Sequence, residues 1–493
     1  MEQTINKPPF PGEQTDGPSV SDEFKPRQLL KMFRLFAVAF FFLLVYKAFS
    51  NPILNVACAS IIFFAALIPT YLWCSGGGAG LPIYPLYAAT HIWTYGLFLI
   101  GENSLLDRYY ANDILYASVT VAAYLLIGTV VWRSTLKRKN MLSRPIRVLK
   151  PDTADSFFLI SFALTSMFLL ITSESSTILS AGMYSLLRGI AFGLTNLGVF
   201  ILTYRWSKGQ LSGRKSYLFW VLVILFITVN ATSLMLVGGL QLLMLILLGY
   251  VLGRKKIPVI ASIIVLCIVM VLHAGKGDMR EQYWQGGSRS IPALSEYPGF
   301  FIEWFGAGAD HLLGGQEIEQ RQSFFNRAGL MSLLLLTQTE SPDRVPYLEG
   351  ASYAPILEQF VPRILSPTKI SSHEGTVLLN MQYGLQTRED ASSTSIGWGM
   401  LNEAYANFGF AGVVLLALLT GFLLGEAAKI GTNVPIYSSR YLFSLLVLSL
   451  SFSVEICTSA LIAALYQYSV PLFLMTIFLT EKRSIKGAAD IET

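Results

Sequence analysis

Side chains able to do chemistry are concentrated in one interval of this chain, residues 275–407, which contains no long apolar run. The interval opens with Lys276, Asp278 and Arg280. Two cations four residues apart share a face if the helix continues, and Arg and Lys are the side chains that bind phosphate groups. Asp278 adds a carboxylate that can accept a proton. The pattern predicts an anion-binding surface with a base beside it; the alternative is snorkelling at a membrane interface or a salt bridge with Asp278.

A second group lies in the middle of the same interval. Pro362 and Pro367 restrict the backbone around Arg363 and Lys369, so these cations are held in place. His373 follows, and an unperturbed imidazole has a pKa of about 6.5. We therefore consider His373 a general base toward a sugar hydroxyl, with a purely structural histidine as the alternative.

A third group ends the interval. Glu403 and Asn407 are four residues apart, on one helical face next to an apolar run that begins at residue 408. The carboxylate is suited to bind an acceptor hydroxyl or to take its proton. The alternative is an acid favoured by the start of a helix, with Asn407 as a capping residue.

Polar groups also occur inside the apolar runs. Ionisable residues at membrane depth are functional candidates by default. Glu455 and Arg188 have a second explanation, since they could pair in the interior of a helix bundle and stabilise packing alone. The polar residues at these positions are His91, Arg188, Asn230, Gln241, Glu455 and Gln467.

The composition indicates a membrane protein. Hydrophobic residues make up 53% of the 493 residues and charged residues only 14%, with a mean hydropathy of +0.52, against about 25% charged residues in soluble domains. No basic block suggests a nucleic-acid partner. All of the cysteines lie in or beside apolar runs, so neither a disulfide framework nor a zinc site is indicated, and we expect no metal and no cofactor.

The elements that must position these groups are helices. A spanning helix needs about 20 apolar residues, and we predict an all-α polytopic membrane protein with about twelve such helices. The predicted spans are 29–49, 52–73, 81–101, 113–132, 154–172, 184–204, 217–235, 237–252, 257–274, 408–427, 440–458 and 460–480.

The distribution of Lys and Arg predicts the orientation. Basic clusters precede the first predicted span, follow the fourth, sixth and eighth, and follow the last, so alternation places them all in the cytoplasm together with both termini. Residues 275–407 then form a large extracytoplasmic loop, whose aromatic and apolar stretches favour short interfacial helices. The predicted units are a disordered tail 1–24, spans 25–274, the catalytic loop 275–407, spans 408–480 and a tail 481–493.

The order of three motifs around one loop resembles bacterial repeat-unit polysaccharide polymerases, the Wzy-type O-antigen and exopolysaccharide polymerases. The matching pieces, within residues 230–425, are Gly350-Ala-Ser-Tyr353, Val361-Pro-Arg363 with Lys369, and Glu403-Ala-Tyr-Ala-Asn-Phe-Gly409. The resemblance implies a GT-C-like membrane glycosyltransferase of the bacterial inner membrane. Its donor and acceptor would be undecaprenyl-diphosphate-linked oligosaccharides, its reaction metal-independent, and a chain-length regulator a possible partner.

The residues take the following expected roles. Catalysis falls to His373, Glu403 and Asp278, any one of which can be the base. Diphosphate binding falls to Lys276, Arg280, Arg363 and Lys369, and glycan contacts to Arg289, Arg327, Tyr353, Trp398, Tyr405 and Asn407.

Three alternatives stay open from the sequence. A ligase that joins lipid-linked glycan to a different acceptor shares the expected fold and loop. A polysaccharide or lipid transporter would need broken helices and midplane charges in two halves of the chain, whereas the polar residues here gather in one loop. A non-enzymatic scaffold for polysaccharide assembly would have dispensable loop cations.

Overall fold

A computed structural model describes most of the chain, in segments separated by short gaps. The described residues are 26–76, 80–101, 104–138, 146–174, 181–234, 236–284, 292–313, 329–361, 366, 369–393 and 396–483. The predicted tail 1–24 lies outside the described residues.

Helices dominate the first half of the chain. They are α1 (Pro26–Ala48), α2 (Ile53–Ser75), α3 (Ile83–His91), a π-helical segment (Ile92–Gly96), α4 (Leu97–Ile100), a 3-10 turn (Ser104–Arg108), α5 (Ala111–Lys137), α6 (Pro151–Glu174), α7 (Ala181–Ser207), α8 (Gly213–Thr232), α9 (Val237–Arg254) and α10 (Val259–Ala274). Prolines mark several of the starts, as at Pro52, Pro82 and Pro258. Proline is tolerated there because the first amides of a helix have no partner within the helix.

Short helices follow, and two of the last three helices are long. They are α11 (Lys276–Tyr283), a 3-10 turn (Leu294–Glu296), α12 (Tyr297–Leu313), α13 (Leu330–Glu340), a 3-10 turn (Ala351–Tyr353), α14 (Pro355–Gln359), α15 (Glu374–Gln382), α16 (Arg388–Ser393), α17 (Gly399–Ile430), α18 (Ser439–Ser451) and α19 (Thr458–Phe478). Strands β1 (Ile146–Leu149) and β2 (Thr480–Arg483) pair antiparallel, with Ile146 opposite Arg483. The start of the predicted tail 481–493 thus belongs to a small sheet, and residues 484–493 lie outside the described part.

Eight of the described helices are long and apolar enough to cross a membrane, or nine if α10 and α11, which are bent by 46° at their junction, count as one span. The eight are α2, α5, α6, α7, α8, α9, α17 and α19. The prediction of an all-α polytopic membrane protein is confirmed at this level. The predicted spans at 29–49, 81–101 and 440–458 are not among the eight: α1 carries four cations, α3 and α4 are separated by the π-helical segment, and α18 has 13 residues.

Two large apolar cores join the helices. The first packs α2, α3, α4 and α5 against α13 and α17, and the second packs α6 to α9 against α18 and α19. Helices α5 and α17 approach closely at Gly421, where an added Cβ would lie 2.5 Å from the carbonyl oxygen of Gly128. Such contacts between small residues are typical of helices that pack within a membrane. A third, small core holds α11 and α12 together around Met279, Phe300 and Trp304.

Candidate active site

Helix α17 is interrupted where the predicted Glu403–Gly409 motif ends. Phe408 has φ −141° and ψ 17°, and Gly409 has φ 59° and ψ −148°, a combination that glycine alone adopts readily. A Cβ at Gly409 would also lie 2.7 Å from the hydroxyl of Tyr347. Residues 399–407 therefore form a separate helical unit, and the motif contains the glycine that the break requires.

Glu403 is fully buried in this unit and has three hydrogen-bond donors. Its Oε1 accepts a bond of 2.9 Å from Ser352 Oγ. Its Oε2 accepts bonds of 2.7 Å from both the backbone N–H and the hydroxyl of Thr458, the first residue of α19. A buried carboxylate with its oxygens occupied in this way joins two segments and is not accessible to a substrate.

Asn407 completes the same junction. Its Oδ1 accepts a bond of 2.9 Å from the backbone N–H of Gly350, and its Nδ2 donates to Ser352 Oγ at 2.8 Å and to the carbonyl oxygen of Glu403 at 2.7 Å. The structure thus brings together the two motifs Gly350–Tyr353 and Glu403–Gly409. Their polar side chains bind each other, which gives Asn407 a positioning role rather than an open face toward a glycan.

The predicted aromatic glycan contacts differ in accessibility. Trp398 is fully buried, packs on Tyr383 and donates its indole N–H to Asn380 Oδ1 at 2.6 Å. Tyr405 is also buried. Tyr353 is half-buried and stacks on Phe408 with the ring centroids 6.4 Å apart. Since stacking on a sugar needs an accessible ring face, Tyr353 is the one of these three that retains such a surface.

His373 and Glu455 both lie near the start of α19, beside the junction. Ser459 Oγ donates a 2.8 Å hydrogen bond to the carbonyl oxygen of Ser372, which holds the residue preceding His373. The carbonyl oxygen of Glu455 accepts a 3.0 Å bond from the backbone N–H of Gly399. Both side chains are accessible to solvent. The Glu403 junction therefore fixes the backbone from which these two groups project.

Both groups are desolvated although they are accessible. Burial, and secondly the positive charge of Arg188, lower the pKa of His373 below its usual value. Burial raises the pKa of Glu455, and the positive charge of Lys276 partly opposes that shift. Two charge interactions thus lie near the start of α19, Arg188 with His373 and Lys276 with Glu455. These four residues, called the recess below, are the candidate active site. A lowered pKa leaves His373 neutral, and able to accept a proton, at neutral pH.

The other two charged residues predicted on α11, Asp278 and Arg280, make contacts within the protein. Asp278 Oδ2 is hydrogen-bonded to His311 Nε2 of α12 at 2.7 Å. Arg280 donates to the carbonyl oxygen of Leu234 at 3.0 Å, and its guanidinium lies 4.3 Å from the ring centroid of Trp284. These contacts link α11 to its neighbours, and Lys276 is the α11 cation whose charge acts on Glu455.

The remaining predicted cations add less to the recess. Lys369 donates to the carbonyl oxygens of Gln359 and Val361 at 2.9 and 2.8 Å, which folds its side chain back on its own loop. The predictions for Arg289, Arg327 and Arg363 lie outside the described residues. Within the described segments, no group of three or more His, Cys, Asp or Glu residues is arranged to hold a metal ion.

From the sequence, Arg188 and Glu455 were candidates only as polar groups at membrane depth. The structure gives them separate neighbours, Arg188 acting on His373 and Lys276 acting on Glu455. An ionisable residue inside an apolar run was the available signal, and it makes both residues functional candidates.

Comparison with protein-family models, curated proteins and solved structures found no match for this chain.

Proposed function

We propose that this protein is a membrane glycosyltransferase that polymerises lipid-linked oligosaccharide repeat units. It would transfer the growing glycan from undecaprenyl diphosphate to a hydroxyl of the next lipid-linked repeat. The observation that carries the proposal is that an accessible imidazole, His373, and an accessible carboxyl group, Glu455, each lie within charge interaction of a cation, Arg188 and Lys276 respectively. A base for a hydroxyl and cations for a diphosphate are the two requirements of this reaction.

The proposed step assigns a role to each group. The acceptor oxygen attacks the anomeric carbon of the donor, a new C–O bond forms, and the C–O bond to the diphosphate breaks. His373 takes the hydroxyl proton, and the lipid diphosphate leaves with the bonding electron pair. Arg188 and Lys276 stabilise the charge that develops on that leaving group. Glu455 is placed to bind acceptor hydroxyls, and Tyr353 to contact a sugar ring.

The proposal includes the finer topology. Adding α1, the α3–α4 segment, the α10–α11 pair and α18 to the eight helices gives about twelve spans, of which α18, with 13 residues, is shorter than a bilayer needs and would cross with the turn that follows it. The recess residues lie where α7 begins, α10 ends and α19 begins, which in this topology is one side of the membrane. With cytoplasmic termini in the bacterial inner membrane, residues 275–407 and the recess face outward, where lipid-linked repeats are assembled.

The test is a gel of lipid-linked and surface glycan from a deletion strain complemented with wild type or a variant. We expect single repeats from the deletion, a ladder from wild type, and no ladder from His373→Asn, since loss of a general base costs about 10²–10⁴ in rate. Asp278→Asn and Arg344→Gln are the controls, because Asp278 is paired with His311 and Arg344 with Glu340 outside the recess. Both should give the wild-type ladder.

The other outcomes separate the alternatives. Long carrier-linked chains in the deletion strain would indicate a ligase, and unchanged glycans would favour a transporter. A full ladder from His373→Asn, with the variant present in the membrane at the wild-type level, would remove His373 from the mechanism.

A further inference from the structure

Helix α12 (Tyr297–Leu313) has three sides of different character. One side is buried against α10 and α11 and includes Phe300, Trp304 and Gly308. The exposed surface divides into an apolar stripe and a polar stripe. The apolar stripe consists of Ile302, Phe305 and Leu312, and the polar stripe consists of Gly299, Glu303, Gly306 and Asp310. Successive residues within each stripe are three, four or seven positions apart, which places them on one side of a helix.

This division of the exposed surface fits one environment. A helix surrounded by water would carry polar residues over all of its exposed surface, and a helix surrounded by hydrocarbon would not expose Glu303 and Asp310. A helix in the plane of a membrane interface needs an apolar side toward the acyl chains and a polar side toward water. Ile302, Phe305 and Leu312 are 75%, 48% and 46% exposed, so the apolar stripe is a continuous surface and not a single exposed side chain.

The apolar stripe adjoins the membrane-facing surface of α10. None of the residues of α10 is buried, and together with α11 this helix is a candidate span. Helix α12 packs on the end of α10, where the indole N–H of Trp304 donates to the carbonyl oxygen of Leu272 at 2.7 Å. An added Cβ at Gly275 would lie 2.5 Å from the backbone nitrogen of Gly308. Helix α12 therefore lies where α10 would reach the surface of the bilayer.

Aromatic residues beside α12 support the same position. Tyr283 at the end of α11 and Trp284 after it are half-buried against the small core of α11 and α12. The Tyr283 hydroxyl donates to Glu303 Oε2 of the polar stripe at 3.2 Å. Tyrosine and tryptophan are enriched at membrane interfaces because their rings are apolar and their polar ends reach water. The polar stripe thus has neighbours typical of headgroup depth.

We propose that α12 lies in the membrane interface, at the side of the membrane where α10 ends, with its apolar stripe among phospholipid acyl chains and its polar stripe in water. Its immersion would be about 5–10 Å. Because Asp278 is bonded to His311 and Met279 packs on Trp304, the anchored α12 also holds α11 at the level of the headgroups. The inference goes beyond the proposed glycosyltransferase activity and does not depend on it.

A second copy of the chain is the other occupant that would cover an apolar stripe. Lipid is favoured for two reasons. The stripe is continuous with the surface of α10, which acyl chains cover in a span, and the polar stripe lies beside it along the whole helix, as an interface requires.

Spin labels on the full chain in vesicles of phosphatidylethanolamine and phosphatidylglycerol test the proposal. The background is Cys267→Ser, since the other cysteines are buried. Labels replace Phe305→Cys or Leu312→Cys on the apolar stripe, with Asp310→Cys on the polar stripe of the same helix as the matched control. The measurement is the ratio of label collisions with oxygen to collisions with a water-soluble nickel complex. We expect this ratio to be about tenfold higher at Phe305 and Leu312 than at Asp310, because hydrocarbon admits oxygen and excludes the polar complex.

Two reference labels calibrate the ratio. Leu266→Cys on α10 reports the acyl layer, and Arg344→Cys, an exposed position outside α12, reports water. A ratio at Phe305 and Leu312 equal to that at Asp310 and Arg344 would place the stripe in water and overturn the proposal. Low collision rates with both reagents would mean that protein covers the stripe, which also overturns it, and spin–spin broadening between labels would then identify a second copy as the occupant.

Discussion

Two carboxylates near the start of α19 show how differently the same side chain can be used. Glu403 is fully buried, and its oxygens accept from Ser352 and Thr458. Glu455 is accessible, and Lys276 acts on it electrostatically. The first connects segments of the chain, whereas the second is exposed to solvent. Predictions follow from this division between a junction and a recess.

The largest effect is expected from removing the junction carboxylate. In Glu403→Gln an amide N–H₂ replaces one oxygen and faces donors of Ser352 or Thr458, so a buried donor is left without an acceptor. We expect a loss of about 3 kcal/mol in the free energy of unfolding, measured by denaturation in mixed micelles. Glu455→Gln is the matched control and should change stability by less than about 0.5 kcal/mol, because its side chain is accessible. Similar stability losses in both variants would contradict the division.

The break in α17 should be nearly as sensitive. Gly409→Ala places a Cβ at a backbone conformation that costs about 1–3 kcal/mol for other residues. The new methyl would also approach the Tyr347 hydroxyl, so adding Tyr347→Phe should recover part of the loss. The same unfolding measurement on Gly306→Ala, where an added Cβ meets nothing within 4 Å, should show no loss. A stable Gly409→Ala would mean that the junction does not depend on the break.

Local sequence patterns predicted the helices and the importance of several residues, but not every role. The spacing of Glu403 and Asn407 correctly indicated one helical face, since that depends on neighbours in the chain. Their use as a junction depends on Ser352 and Thr458, which lie about fifty residues away on either side. No local pattern contains that information.

The recess was harder still to predict. Lys276 at the start of α11 acts electrostatically on Glu455, which precedes α19, and only tertiary packing brings these distant parts of the chain within range of each other. For the same reason, the sequence could not show that Asp278, a candidate base, contacts His311 on α12. Residue type selected plausible groups, and tertiary packing decided which of them share a space.

The smallest energetic effect, and the most specific to the recess, is a change in pH dependence. Burial and the charge of Arg188 both lower the pKa of His373, so the neutral base persists to lower pH than a free imidazole would. In the proposed reaction, activity falls as the pH drops through that lowered pKa. Arg188→Gln removes the second cause only, and the acid limb of the pH–rate profile should move to higher pH while staying below that of a solvent-exposed histidine.

Arg188 is also assigned to the diphosphate, so the overall rate should fall as well, but a diphosphate contact alone would leave the midpoint in place. The measurement is the polymerisation rate across the acid range for wild type, Arg188→Gln and the distant control Arg344→Gln. An unmoved midpoint in Arg188→Gln would mean that Arg188 does not act on His373. A moved midpoint in Arg344→Gln would mean that the net charge of the protein, not the recess, sets the profile.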